Sequence, residues 1–483
     1  MKKLLVAALM VVLASPAFAA IQNVKVSGDI TSTFLDRQNF DLQAGGNVSG
    51  GLKDQNVFLT QTRLRVDADL SDNVSTTVGL INERAWNAEN GSSNSYDTNV
   101  QLYLASVTMR ELLYSPLTVT VGRQMFVYGN GLIMGNGPNN VTSGNLTMAQ
   151  DLSMRTAEDG IKAVLDYKPL TIDMFYFKAG QTGKSIAGSF VSNPEQNSDV
   201  YGINANYQLS DPMSTVVEAY LFSRLNGSGF SSTNDGNDAI ANEGKGNKLY
   251  APGLRASTNP IKGLNVQGEI AWQFGNQDIL GNGVESERRS AMAYQLMGSY
   301  ALPVLEKYKP SVNASWTYVS GDKDVNQNYN VAGAKIGKVY RAWDPMFEGQ
   351  GGGTIYNTLF NLSDMNILAL GASVSPLEDV TTAFTWNNLW SAQRLSGLNP
   401  LNITSPNGVG VSGVQWAPAS GSYAGNKKNP KGLGNEYDVN VNYAYTEDVS
   451  FGVSLGWFIP GSAFADASRE TASQAIADVA VKF

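Results

Sequence analysis

The sequence predicts an all-β fold: a single transmembrane antiparallel barrel of about eighteen strands, with short periplasmic turns and long extracellular loops. Three observations carry this. Segments of alternating apolar and polar residues recur along the whole chain. The gaps between them alternate short and long. The final segment places Ala475, Ala477, Val479, Val481 and Phe483 on one face and Gln474, Asp478 and Lys482 on the other, because side chains along a strand alternate with period two.

The chain starts with a secretory pattern. Lys2 and Lys3 precede the short apolar run Leu4 to Leu13, and Ala17-Phe18-Ala19 is a small-x-small cleavage site. Residues 1–19 are therefore expected to be a signal peptide, and 20–483 a single barrel domain. The apolar run is shorter than the roughly 20 residues a spanning helix needs, and no later stretch is apolar for that long. The mature chain must stay in the periplasm, leave the cell, or sit in the outer membrane.

The strands follow in order. Those near 22–36 and 57–70 flank the long gap 37–56, and Ser71-Asp72-Asn73 turns the chain into 74–86. The strand near 99–109 passes through Arg110 to Pro116 into 117–126, and the long gap 127–157 leads to 158–167. Lys168-Pro169 connects to 170–180, gap 181–198 to 199–209, and Ser210 to Ser214 to 215–225. Gap 226–247 precedes 248–258, Asn259 to Gly263 precedes 264–275, and 290–301 runs through Leu302 to Pro310 into 311–320. Gap 321–363 precedes 364–375, and Pro376 to Asp379 precedes 380–390. Gap 391–434 leads to 435–445, Thr446 to Asp448 to 449–458, and 474–483 ends the series. With both termini periplasmic, every short gap falls inside and every long gap outside, the asymmetry of a membrane barrel.

The faces agree. In 264–274, Leu264, Val266, Ile270, Trp272 and Phe274 oppose Asn265, Gln267, Glu269 and Gln273. Aromatic residues gather at strand ends: Tyr167, Tyr207, Tyr300, Tyr445 and Phe483 at one rim, Phe34, Trp86, Phe274, Tyr318, Trp390 and Trp457 at the other. Such girdles bracket the apolar band of a membrane barrel. Strand 117–126 loses parity at Gly122-Arg123, where a bulge is expected.

Composition narrows the function. There is no cysteine, which removes disulfides, thiolate metal sites and a lipoprotein anchor. There is no histidine, which removes the usual haem ligand and the commonest general base, and with them histidine-dependent lipases and proteases. The formal charge is −8, and loss of Lys2 and Lys3 leaves 32 basic against 42 acidic residues. No basic stripe appears, so nucleic acid is not an expected partner.

Several motifs resemble the alginate-export family of outer-membrane proteins. They are Gly122-Arg123-Gln124 with Tyr128-Gly129-Asn130-Gly131, Arg155 with Asp159-Gly160, and Glu269 to Gln273-Phe274-Gly275. They continue with Ser320-Gly321-Asp322, Trp343-Asp344-Pro345-Met346-Phe347, Gly434-x-Glu436-x-Asp438 and Phe458-x-Pro460-Gly461. The resemblance implies an eighteen-stranded barrel that passes polysaccharide or serves as a porin. The terminal strand ending at Phe483 also resembles the signal that the barrel-assembly machinery reads.

Candidate pore-lining residues are Arg63, Arg65, Asp67, Arg123, Arg155, Arg255, Glu269, Gln273, Glu436 and Asp438. Arg63 and Arg65 share a face with Asp67 and Asp69, either as a selectivity ladder or as wall salt bridges. Glu269 with Gln273, and Glu436 with Asp438, can meet sugar hydroxyls or bond to neighbouring strands. The paired carboxylates raise glycosidase chemistry, but a wetted pore shifts a carboxylate pKa little, so no enzymatic activity is expected. By parity Lys25, Arg63, Arg65, Lys162 and Arg255 face inward with Asp29, Asp67, Glu83, Asp166, Asp173, Glu218, Glu269, Glu436 and Asp438. That acidic excess repels a polyanion unless the bases cluster at the constriction.

An unplugged lumen of this size would leak, so 127–157 either folds inward or extends outside; its Gly-Asn-Gly turns allow the first. Asp322, Asp324, Asn326 and Asn328 alternate like a calcium loop but lack its glycine and terminal acid. No metal or cofactor is expected. The long region 391–434, with Lys427, Lys428 and Lys431, is a solvated loop or an adhesive surface. The expected function is passage of hydrophilic solutes or an exported polysaccharide. The alternatives are a sheath or scaffold in a larger envelope complex, and a closed surface barrel. The expected partners are outer-membrane lipid, the assembly machinery and a sugar or other small hydrophilic solute.

Overall fold

A computed structural model describes residues 23–43, 54–86, 100–135, 152–179, 198–226, 248–278, 286–322, 339–350, 352–393, 431–464 and 466–483. The first strands are β1 (Asn23–Gln38), β2 (Gln55–Ser71), β3 (Val74–Ala85), β4 (Gln101–Met109), β5 (Leu117–Gln124) and β6 (Glu158–Asp166). Next come β7 (Leu170–Ala179), β8 (Ser198–Gln208), β9 (Val216–Asn226), β10 (Lys248–Ile261), β11 (Leu264–Asp278), β12 (Ser286–Ala301) and β13 (Ser311–Val319). After the two-residue β14 (Val339–Tyr340) come α1 (Tyr356–Leu359), β15 (Met365–Leu377), β16 (Val380–Ser391), β17 (Gly432–Ala444), β18 (Val449–Pro460) and β19 (Ala472–Lys482).

Antiparallel pairing runs from β1 through β13, passes directly to β15, continues to β19, and closes on β1. The expected eighteen strands thus form the wall, and β14 adds a short parallel pair to β12. The strands have 8 to 17 residues, against the roughly 9–11 a tilted strand needs to cross a bilayer. Closure satisfies the backbone, which an open edge in lipid could not. At the seam, Phe483 N–H donates to Gly28 O at 3.0 Å and Gly28 N–H to Phe483 O at 2.8 Å. A Cβ on Gly28 would stand 2.6 Å from Phe483 Cζ, so the terminal ring lies directly on the glycine.

The two faces sort as the sequence predicts. On β11, Val266, Trp272 and Phe274 are exposed on the outside, while Glu269 and Gln273 are buried within. Phe58 and Trp86 stack at 4.8 Å at the extracellular rim, and Tyr167, Tyr207, Tyr445 and Phe483 stand exposed at the periplasmic rim.

Strand β5 departs from the expectation. It carries no bulge: its register to β4 and β6 is unbroken. Gly122 instead takes φ +117°, where a Cβ would meet Ala105 O at 2.1 Å. The discontinuity lies on the far side of β4, where Gly79 pairs with Leu104 and Leu80 with Leu102, leaving Tyr103 as the extra residue. The signal peptide, Asp324, Asn326, Asn328, Lys427 and Lys428 lie outside the described residues.

Candidate functional site

The lumen is not open throughout, because two chain segments fold into its extracellular half. The first follows β5. Tyr128 N–H donates to Met134 O at 2.9 Å and Gly131 N–H to Tyr128 O at 3.1 Å, a tight turn that uses positive φ at Gly129 and Gly131. The second comprises residues 341–350 and 352–363. They join as a parallel bridge of Met134 with Phe347. Gly135 N–H reaches Phe347 O at 2.8 Å, Phe347 N–H reaches Ile133 O at 3.0 Å, and Gly349 N–H reaches Gly131 O at 2.9 Å.

Side chains explain why both segments stay inside. Leu132, Ile133 and Met134 from the first, and Trp343, Ile355, Leu359 and Phe360 from the second, form one buried cluster with Phe175, Phe177 and Phe222 of the wall. Each such side chain contributes about 1.5–3 kcal/mol on leaving water. The inward course of 127–157 is thus found for its described ends. The inward course of 341–350 and 352–363, within the gap 321–363 expected outside, is a correction: Trp343 and Phe360 supply the apolar face that keeps it in.

Polar wall residues anchor both segments. Glu436, fully buried, accepts the N–H groups of Ile355 at 2.9 Å and Tyr356 at 2.7 Å, at the start of α1. Asp438 accepts from Thr354 Oγ1 at 2.6 Å and from Asn387 Nδ2 at 3.2 Å. Gln273 pairs both ways with the Asp344 backbone, at 2.6 and 2.9 Å. The Asp344 carboxylate meets Arg224 at 3.1 Å and Arg289 at 3.6 Å. Arg255 donates to Asn130 Oδ1 at 3.0 Å and Gln267 Oε1 at 2.7 Å and pairs with Glu218, while Tyr220 OH donates to Glu269 at 2.6 Å. Glu83 accepts from Met154 N–H at 2.6 Å and Ser153 Oγ at 2.8 Å and pairs with Arg155 at 3.0 Å. Arg155, Arg255, Glu269, Gln273, Glu436 and Asp438 therefore lie on the lumen side, but as struts under or within the plug.

Electrostatics follows this burial. At Asp344 burial acts upward, and the charges of Arg224 and Arg289 overcome it, bringing the carboxyl down to about 2. Burial pushes Asp364 up to about 7, against the Gln393 N–H and the charge of Lys431. Burial likewise raises Glu348 and holds the Tyr356 hydroxyl well above its usual range.

The periplasmic half keeps its charges facing the lumen. Arg63 Nε donates to both Asp29 oxygens at 3.0 Å, and Arg65 holds Asp67 at 2.7 and 2.9 Å, with Thr77 Oγ1 donating to Asp67 at 2.6 Å. The salt bridges weighed for this ladder are therefore present. On the adjacent strands β6 and β7, Lys162 stands 3.8 Å from Asp173.

Arg123 is corrected. Its neighbour Gln124 and the partner Glu158 are buried inward, so parity turns Arg123 to the outer face. There it pairs with Asp159, whose side chain is 62% exposed, and donates to Leu102 O at 3.0 Å. The outer row continues with Lys178 at 2.8 Å from Asp199. Sequence reasoning missed Asp344, whose motif it quoted without a role, and Tyr103, whose bulge has no sequence mark beyond Gly79 opposite.

The profile of the alginate-export family matches residues 23–478. A search of curated protein sequences gave no match. Among solved structures, OpdK of Pseudomonas aeruginosa with vanillate shares 8% identity at a TM-score of 0.54, covering 96% of this chain and 99% of its own. OccAB1 of Acinetobacter baumannii shares 11% at 0.54, covering 97% and 99%. OccK2 (OpdF) of Pseudomonas aeruginosa in complex with glucuronate shares 10% at 0.50, covering 96% and 99%. At these identities the likeness is one of fold.

Proposed function

The chain belongs to the alginate-export family, and from that membership and the form of its lumen we propose an outer-membrane channel that passes hydrophilic solutes or exports a saccharide. One observation carries the reading: a polar, charge-lined inner half meets an outer half narrowed by two anchored inward segments. That is the layout of a selective pore, in which wall charges gather the solute and a constriction sorts it. Arg63, Arg65 and Asp67 act in gathering. Arg155, Arg255, Glu269, Gln273, Glu436 and Asp438 act in holding the constriction.

Small organic solutes are the proposed cargo class, a reading supported by vanillate and glucuronate in the two similar barrels. Arg155 and Arg255 at the constriction are paired with Glu83 and Glu218, and Arg224 and Arg289 share Asp344, so little net positive charge is left there for a polyanion. A sheath around a separate protein finds less support, because the chain's own side chains fill the outer lumen. Residues 1–19 act as the secretory leader, and the strand ending at Phe483 as the assembly signal. No covalent chemistry is part of this function.

Planar-bilayer recording of the refolded mature protein tests it. Stable open steps reduced by added solute support the reading; a folded protein with no conductance at any potential overturns it.

A further inference from the structure

Strand β4 places one aromatic side chain where alternation alone does not. Tyr103 is the extra residue of the bulge opposite Gly79 and Leu80. Bulges re-aim a side chain, and they are common beside functional sites. Gly79 sits on the inner face, opposite Arg65. A Cβ there would meet Tyr103 Cε1 at 2.6 Å and Cζ at 2.9 Å. The ring therefore rests on the bare glycine backbone, against the lumen wall. Arg63 Cζ stands 6.0 Å from its centroid. The same ring lines a cavity of about 110 Å³ beside the bulge, with Ile81, Arg155 and Ala157 from the inner side and Gln101, Leu102 and Arg123 completing its wall.

The polar surroundings suit hydroxyl groups. Asp29 engages Nε and Nη2 of Arg63, and Asp67 engages Nε and Nη2 of Arg65. Each guanidinium keeps Nη1 without a partner among the described residues. Each charge is matched by a carboxylate, so the pairs offer donors and acceptors side by side with little net charge. A free carboxylate gains little there, whereas a ring bearing several hydroxyls finds both kinds of partner. An aromatic face presents the apolar surface that the C–H face of a sugar ring covers.

We propose that Tyr103, seated on Gly79 and flanked by Arg63–Asp29 and Arg65–Asp67, is a stacking platform for a neutral saccharide ring at the inner edge of the constriction. The proposal rests on the channel reading above and names its first contact from the periplasmic side.

The test is calorimetric titration of the full mature protein in detergent with maltotriose and mannotriose, and with trigalacturonate as an anionic comparison. Wild type, Y103F and Y103A are compared after heat-dependent gel mobility shows each to be folded. At least one neutral trisaccharide is expected to bind wild type, Y103F is expected to bind it alike, and Y103A roughly fivefold more weakly. Equal binding by Y103A, no binding of either neutral sugar, or tighter binding of trigalacturonate overturns the platform. Bilayer recording of the same samples separates the two readings. Ring-dependent binding without conductance removes the channel and keeps the platform, and conductance with ring-independent binding does the reverse.

Discussion

Arg224 on the barrel wall and Asp344 on the inward segment meet at 3.1 Å, and this pair pins the second segment to strand β9. Replacing Asp344 with alanine leaves Arg224 and Arg289 facing each other without a counter-charge. Breaking a buried pair in this way costs about 3–5 kcal/mol. The expected outcome for D344A is a barrel that still folds but has a looser constriction. Single-channel conductance should rise, and cells carrying the variant should admit larger hydrophilic antibiotics.

Acid should act through the same residue. The Asp344 carboxyl is held down at about 2, below the roughly 3.9 of an unfolded chain. Its stabilisation is therefore fully present above about pH 4 and fades as pH falls through 2. Conductance noise from the constriction should grow in that window in wild type and be independent of pH in D344N.

Asp364 works with the opposite sign. Its carboxyl is raised to about 7, so its contribution is greatest below pH 4 and is lost as pH rises through 7. The D364N variant should keep the segment near Gln393 equally protected at pH 5 and pH 8. Hydrogen exchange at the Gln393 amide, which donates to Asp364 at 2.6 Å, reads this directly. Faster exchange at pH 8 than the intrinsic rate change explains is expected in wild type alone.

Ion selectivity should separate the two arginine positions. Arg65 faces the lumen with its side chain 44% exposed, whereas Arg123 lies on the outer face. R65A should shift the reversal potential in a salt gradient toward cation preference, and R123A should leave it unchanged. A shift in R123A would place that residue back in the pore.

The seam gives a stability prediction. A side chain at Gly28 collides with Arg63 O at 2.5 Å and with the Phe483 ring. G28V should lower the temperature at which the folded band converts to the unfolded one on a gel, by an amount fitting about 1–3 kcal/mol of overpacking.

Much of this architecture is legible in the residues. Val266, Trp272 and Phe274 against Glu269 and Gln273 give parity directly, since period-two alternation is local. Short turns such as Ser71-Asp72-Asn73 declare the periplasmic end for the same reason. The plug was half legible: glycines at 129 and 131 signal a chain able to turn inward, but Trp343 and Phe360 look the same in a gap that points out. Their burial depends on Phe175, Phe177 and Phe222 of distant strands. Arg123 was misplaced because the bulge expected at Gly122 is absent, so β5 keeps its alternation and Arg123 follows Val121 to the outer face; Tyr103 was missed because a bulge is a property of two strands at once.

The bridge between Met134 and Phe347 joins stretches more than two hundred positions apart in the chain. Bore is thereby uncoupled from strand number. Rewriting either inward segment re-machines the aperture, while the lipid-facing cylinder, its girdles and its seam stay as they are. Such a protein can change diet without changing its coat.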